Sequence, residues 1–309
     1  MNASILAPDS SGRFTPEKLR VTLAEVCAGV GLDHRGARLL RFTNNAVYQL
    51  ANRPVVVRIV GSHAMRHRAA KVVWFARHLA AHGVPAVRLL PGVEQPVRVG
   101  EHVATLWETV PPSDKRPGPR QLAGLLRQLH ELPVDVSSDG SALPVWNPLD
   151  DVRRRVADAE GLGASDRRFL LGECGEVAAA LAELRFPLVP ALVHGDAHLG
   201  NVIASPGGPV LCDFDSAAIG PPEWDLTPLA VGVARFGEPR RRYRRFVRGY
   251  GFDVTDWDGF RVLRRVRELK LITSVLPILR SHPEVGAELR RRLRDFRLGH
   301  DRARWQRYR

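Results

Sequence analysis

The chain has 309 residues, 44% hydrophobic and 26% charged, the profile of a soluble globular protein long enough for two lobes. No uninterrupted apolar run approaches the roughly 18 residues of a membrane span, and the first residues lack a basic stretch leading into an apolar one, so neither a membrane helix nor a signal peptide is expected. The net charge of +13 rests on arginine, since only four of the 46 basic residues are lysine, and it reads as a solvated surface in preference to a nucleic-acid footprint.

Thr15-Pro16-Glu17 marks a helix start, with Leu19, Leu23, Val26 and Val30 at helical spacing and Gly29 and Gly31 near the stop. Three short β-rich runs follow at 37–42, 46–51 and 54–60, joined by Thr43-Asn44-Asn45 and Asn52-Arg53-Pro54. A helix over 65–82 and strands at 87–92 and 102–110 complete a small antiparallel sheet with helices. The Pro- and Gly-containing stretch at 111–119 is the clearest break in the chain. Helices are predicted beyond it at 120–132, 150–159 and from Ser165 to near Arg185. Tyr243, Phe246, Val247 and Tyr250 share one helical face, a core face in preference to a platform for bases, and Val285, Leu289, Leu293 and Phe296 form another stripe. The chain therefore divides into an N-lobe, residues 1–110, and a helical C-lobe, residues 111–309. Cys27, Cys174 and Cys212 are odd in number and far apart, which fits a reducing cytosol and a cytoplasmic protein.

The densest chemistry lies in HGDAHLGN, residues 194–201, and DFD, residues 213–215. Between them, Val202 to Ala204 and Val210 to Cys212 are β runs joined through Pro206-Gly207-Gly208, which predicts a hairpin. A hairpin brings its ends together, so Asn201 and Asp213 become neighbours. An amide oxygen beside a carboxylate is a small set of hard donors, suited to Mg²⁺, which takes its remaining ligands from water and phosphate. Asp196, on the loop before the hairpin, is placed to orient a hydroxyl and accept its proton. Together these form the layout of a phosphoryl-transfer site.

On these residues the chain resembles the aminoglycoside phosphotransferase family, whose fold is the two-lobed, α+β, protein-kinase-like one with a small antiparallel-sheet N-lobe and a larger, mostly helical C-lobe. HGDAHLGN is similar to that family's His-Gly-Asp-x-x-x-x-Asn loop and CDFD to its metal-binding segment, while GPPEWDL (220–226) and LLRQLHEL are weaker matches. The resemblance implies Asp196 as catalytic base, Asn201 and Asp213 as Mg²⁺ ligands, and His194 and Asp225 as supports of the loop. It implies Asn44 and Asn45 in a turn over the nucleotide phosphates, and Glu108 to Val110 as the hinge that meets the adenine edge. The co-substrate is then ATP or GTP, the partner a small-molecule hydroxyl acceptor, and the protein a monomer or homodimer. The phosphate-binding lysine of the family stands here as Arg58, and the next helix contains no acid to pair with it. That departure keeps open a catalytically degenerate nucleotide-binding regulator, and the arginine-rich C-terminus a basic nucleic-acid-binding protein. If the acceptor is cationic, as an aminoglycoside is, Asp215, Glu223 and Glu268, with Asp253 and Asp256, are the acids expected to line its site.

Overall fold

A computed structural model of the chain describes residues 16–42, 45–61, 66–134, 143–280 and 282–308. Helix α1 (Pro16–Gly29) lies against a five-stranded antiparallel sheet in the order β1 (Arg38–Phe42), β2 (Asn45–Gln49), β3 (Val55–Val60), β5 (His102–Glu108), β4 (Val97–Val99). The period of two along a strand decides which side chains reach the cleft. In β3, Val55, Val57 and Ile59 are buried in the core, while Val56 and Arg58 alternate with them and face the opening between the lobes. Val47 of β2 sits opposite Arg58 and shares that face. The run at 87–92 was expected to be a strand. It makes only an isolated bridge from Leu89 to Trp107, and β4 forms instead after a turn, with a cis Gln95–Pro96 bond between them.

Helix α2 (Arg68–Ala81) follows β3, and α3 (Pro119–His130) opens the helical lobe. The helices α4 (Pro148–Asp158), α5 (Ala164–Ala182), α6 (Pro222–Phe236), α7 (Arg240–Tyr250), α8 (Phe260–Thr273) and α9 (Gly286–Arg297) complete it. Four short strands interrupt this order. β6 (Ala191–Val193) pairs antiparallel with β9 (Ala218–Gly220), and between them lies the hairpin of β7 (Val202–Ile203) and β8 (Val210–Leu211). This nesting makes residues 194–201 and 212–217 leave the same ribbon side by side. The amphipathic stripe of α7 buries Phe246 and packs on α3, with Tyr250 donating to or accepting from His130 Nδ1 at 2.8 Å.

Buried apolar residues form two large clusters, and neither stops at residue 110. One joins α1 and the inner face of the sheet to α4, α5, α8 and α9, and the other joins α2 and Trp107 to α3, α6, α7 and the hairpin. Among the described residues no helix is long and apolar enough to cross a membrane.

Candidate active site

The loop at 194–201 is fixed from below. Asp225, in the first turn of α6, is fully buried, and its carboxylate accepts from the main-chain N–H of His194 (2.6 Å) and of Gly195 (2.7 Å). His130 Nε2 closes on the same carboxylate at 3.1 Å, and Trp224 Nε1 donates to Gly195 O at 2.8 Å. A buried carboxylate is tolerated when charge-assisted bonds satisfy it, and here two of them are main-chain N–H groups. Gly195 has φ +78°, and a Cβ there would stand 1.9 Å from Ser216 O, so no other residue fits. His194 is buried, with Nε2 at 2.9 Å from Cys212 O, which ties the loop to the strand before the DFD segment. His198 folds back locally, its Nδ1 accepting from Gly200 N.

Asp196 sits partly exposed in a cavity of about 650 Å³ between the lobes. Burial would push its carboxyl up, but the Arg267 guanidinium bonded to it and His198 nearby outweigh this and hold it well below the usual carboxylate range. Its main-chain carbonyl accepts from Asn201 Nδ2 at 3.0 Å, and Cys212 N donates to Asn201 O, so the hairpin does set Asn201 beside the DFD segment. The amide oxygen of Asn201 is buried and has no hydrogen-bond partner among the described residues. Asp213 adopts a left-handed backbone, φ +68°, and burial together with Asp215 raises its pKa, although Arg58 and Arg41 each stand 3.9 Å away. An orphaned amide oxygen and a crowded carboxylate fit a divalent cation that draws its other ligands from phosphate and water.

Asp215 lies elsewhere in this scheme than expected. It is the partner of Arg58, bonded to its guanidinium, and it also accepts from Asn45 Nδ2 at 3.0 Å. Arg58 and Arg68 hold its pKa at about 2 against the effect of burial. Asp215 therefore takes the role of the acid missing from α2. That helix supplies a cation instead, with Lys71 Nζ donating to Asp215 O at 2.7 Å, and it supplies Phe75, whose ring meets Phe214 edge-on at 5.2 Å. Asn45 thus reaches across the cleft by its side chain; Asn44 lies outside the described residues. At the far end, Val47, Val56, Trp107, Glu108 and Val110 line an apolar slot.

Two expected acceptor-site acids are elsewhere. Glu223 is fully buried and accepts from Leu188 N at 2.6 Å, pinning the segment before β6. Glu268 is clasped by Arg235 (2.7 and 2.8 Å) and by Arg264 (2.8 Å). The reason is helical phase: Arg267, Lys270, Leu271 and Ser274 follow the i, i+3, i+4, i+7 rule and line the cavity, while Glu268 is a hundred degrees round the helix. Asp253 is likewise engaged, by Tyr243 Oη and Thr255, and Asp256 is exposed. The acids around Asp196 are replaced by cations: Arg267, Lys270 and Arg155. The sequence did carry a signal for them, since Arg155 falls on the stripe of Leu149, Val152 and Val156, and Arg267 and Lys270 interrupt that of Leu263, Val266 and Leu269.

The model of the phosphotransferase enzyme family matches residues 39–263. A hydroxyurea phosphotransferase of Kitasatospora aureofaciens is 33% identical over 147 residues, which cover 47% of this chain and 39% of that protein, so the match spans about two fifths of the relative's length. Among solved structures, the amicoumacin kinase hAmiN in complex with AMP-PNP, Ca²⁺ and Ami is similar, with a TM-score of 0.65, 14% identity and coverage of 95% of this chain and 96% of that one. The choline kinase LicA of Streptococcus pneumoniae gives 0.61 at 13% identity, covering 91% and 98%. The aminoglycoside phosphotransferase APH(3'')-Id of Streptomyces rimosus gives 0.55 at 21% identity, covering 81% and 98%.

Proposed function

The chain belongs to the phosphotransferase enzyme family, and from that premise we propose that it transfers the γ-phosphoryl group of ATP or GTP to a hydroxyl of a small molecule. The observation that carries the reading is that Asp196 and Asp213 line one cleft while Asn201, bonded to Asp196 O and Cys212 N, lies buried beside both, its amide oxygen without a partner among the described residues. The adenine or guanine ring occupies the slot of Val47, Val56 and Val110, and Arg58, oriented by Asp215, grips the phosphates. Mg²⁺, held by Asn201 Oδ1 and the Asp213 carboxylate, would neutralise charge on the phosphates. Asp196 aligns the acceptor hydroxyl. The new bond joins the acceptor oxygen to the γ-phosphorus, the bond to the β,γ-bridging oxygen breaks, the hydroxyl proton passes to the Asp196 carboxylate, and the nucleoside diphosphate leaves. A loose transition state asks for positioning and electrostatics more than covalent help, which suits a loop fixed by main-chain bonds.

The groups nearest Asp196 favour a neutral or acidic acceptor over a polycationic aminoglycoside, which would meet Arg155, Arg267 and Lys270 at the base. The regulator alternative loses its motive, because Asp215 stands in for the absent helix acid. The C-terminal arginines that suggested nucleic acid contact the lobe itself: Arg292 stacks on Tyr308 at 3.8 Å and Arg307 pairs with Glu238 at 2.8 Å. Three free cysteines accord with a cytoplasmic enzyme. The test is Asp196→Ala, assayed with Mg-nucleotide and a panel of hydroxyl compounds of differing charge. Turnover is expected to vanish while nucleotide affinity, read by thermal shift, is retained; turnover within a few-fold of the native chain would refute the assignment of the base.

A further inference from the structure

Arg155 is one of the cations near Asp196, yet it bonds to none of the residues assigned above. It stands on α4, lines the cavity, and is more than nine-tenths buried. Its Nε has no hydrogen-bond partner, and no hydrogen bond or ion pair joins its guanidinium to any described residue. The natural partner would be Asp151, four residues earlier on the same helix. That carboxylate is turned away, bonded to Arg68 and 4.0 Å from Lys270 Nζ. A buried guanidinium left bare is costly, so a fold that keeps one there has an anion to meet it.

The surroundings say which anion. Burial lowers the pKa of Arg155, and the charges that act against this are Asp196 first, then Asp215 and Asp213, with Arg267 opposing them. Asp196 stands on the acceptor bank of the cleft and Asp213 and Asp215 on the phosphate bank, and Arg155 lines the same cavity as all three. Arg68, Arg155, Arg267 and Lys270 are set among the acids Asp151, Asp196, Asp213 and Asp215, and none of these acids is bonded to Arg155. The crowding shows at Lys270, whose pKa burial and its cationic neighbours bring down to about 7. The group that must cross the gap carries charge on three equatorial oxygens, and a guanidinium fork matches two of them.

We propose that Arg155 is a phosphoryl-binding residue, contacting the γ-phosphate of the bound nucleotide and the same group in transfer. The inference rests on the phosphotransferase reading above. It assigns to α4 a task that no residue of the 194–201 or 213–215 segments performs, and it makes that end of the cleft selective for a triphosphate over a diphosphate.

Titration calorimetry with Mg-ADP and Mg-AMP-PNP separates the possibilities, using the full chain, Arg155→Met and Arg155→Lys. The expected result is that Arg155→Met weakens AMP-PNP by tenfold or more and leaves ADP within about twofold, so that the ratio of the two affinities collapses. Arg155→Lys, which keeps the charge without the fork, should fall between and serves in place of Arg155→Met if that variant melts at room temperature. An unchanged ratio in a folded variant overturns the proposal, as does a change confined to acceptor KM, which would assign Arg155 to an anionic acceptor. If the native chain binds neither nucleotide, the phosphotransferase reading itself has failed; if it binds both and the variants keep the ratio, only the role of Arg155 has.

Discussion

The two banks of the cleft are held by different means. On the catalytic-loop bank, residues 194 and 195 hang by their main-chain N–H groups from a carboxylate about 30 residues downstream, within one lobe and fully buried. On the nucleotide bank, Arg58 and Asn45 of the sheet reach Asp215 by side chains across 157 and 170 residues, from one lobe to the other. Main-chain anchoring fixes the base whatever the lobes do. Side-chain anchoring makes the phosphate grip depend on the lobes standing at the right separation. Chemistry and nucleotide capture should therefore respond differently when each bank is damaged.

The largest effect is expected at Asp225. Asparagine there keeps the size but turns an N–H₂ toward at least one of the main-chain donors, leaving buried groups opposed instead of paired. At about 1.5 kcal/mol or more for each charged bond lost, the loop loosens and kcat should fall by a hundredfold or more. Steady-state turnover together with thermal melting checks this, and both should fall. Native turnover in Asp225→Asn would mean that the loop is held by something other than this carboxylate.

Damage to the other bank should look different. Asp215→Asn removes the charge that orients Arg58 but leaves the loop at 194–201 untouched. The KM for nucleotide is expected to rise about tenfold, with a smaller change in kcat, as befits lost binding more than lost transition-state contact. A fall in kcat at constant nucleotide KM would move Asp215 to the chemical bank and erase the contrast.

The same contrast explains what could be read from the sequence. The loop, the hairpin and the DFD segment are local, and local spacing carries them: a turn at Pro206-Gly207-Gly208 suffices to bring Asn201 beside the DFD segment. Asp225 stood out only through the resemblance of GPPEWDL to the family's element, since nothing local says that it meets the N–H groups of His194 and Gly195. What the sequence concealed were pairings over long separations. Asp215 read as a substrate contact because nothing local says that it meets Arg58. Glu268 and Glu223 read as pocket acids because composition gives no helical phase; only the packing of α8 and α6 turns them to Arg235 and Leu188. Arg155, Arg267 and Lys270 were visible as charges on apolar stripes, but without the neighbouring elements such charges look like a solvated helix edge.

The smallest effect, and the finest probe of the catalytic bank, is a shift along the pH axis at Arg267. Asp196 works as a base only when ionised, and its pKa lies well below the usual carboxylate range because Arg267, first among its charged neighbours, favours the anion over the effect of burial. The acid limb of kcat/KM should accordingly lie low in the native chain. In Arg267→Gln the burial that raises the pKa is less opposed, so the limb must move to higher pH, by about one unit, equivalent to about 1.4 kcal/mol of lost charge stabilisation. At pH 8, where the carboxylate is ionised in either protein, the rate should stay within about threefold. Log kcat/KM measured with one acceptor from pH 8 down to the acid limit of the folded protein tests the sign directly. A limb that stays in place would mean that Arg267 merely fills space beside the base, and a limb that moves to lower pH would mean that it opposes ionisation, against the geometry of the pair.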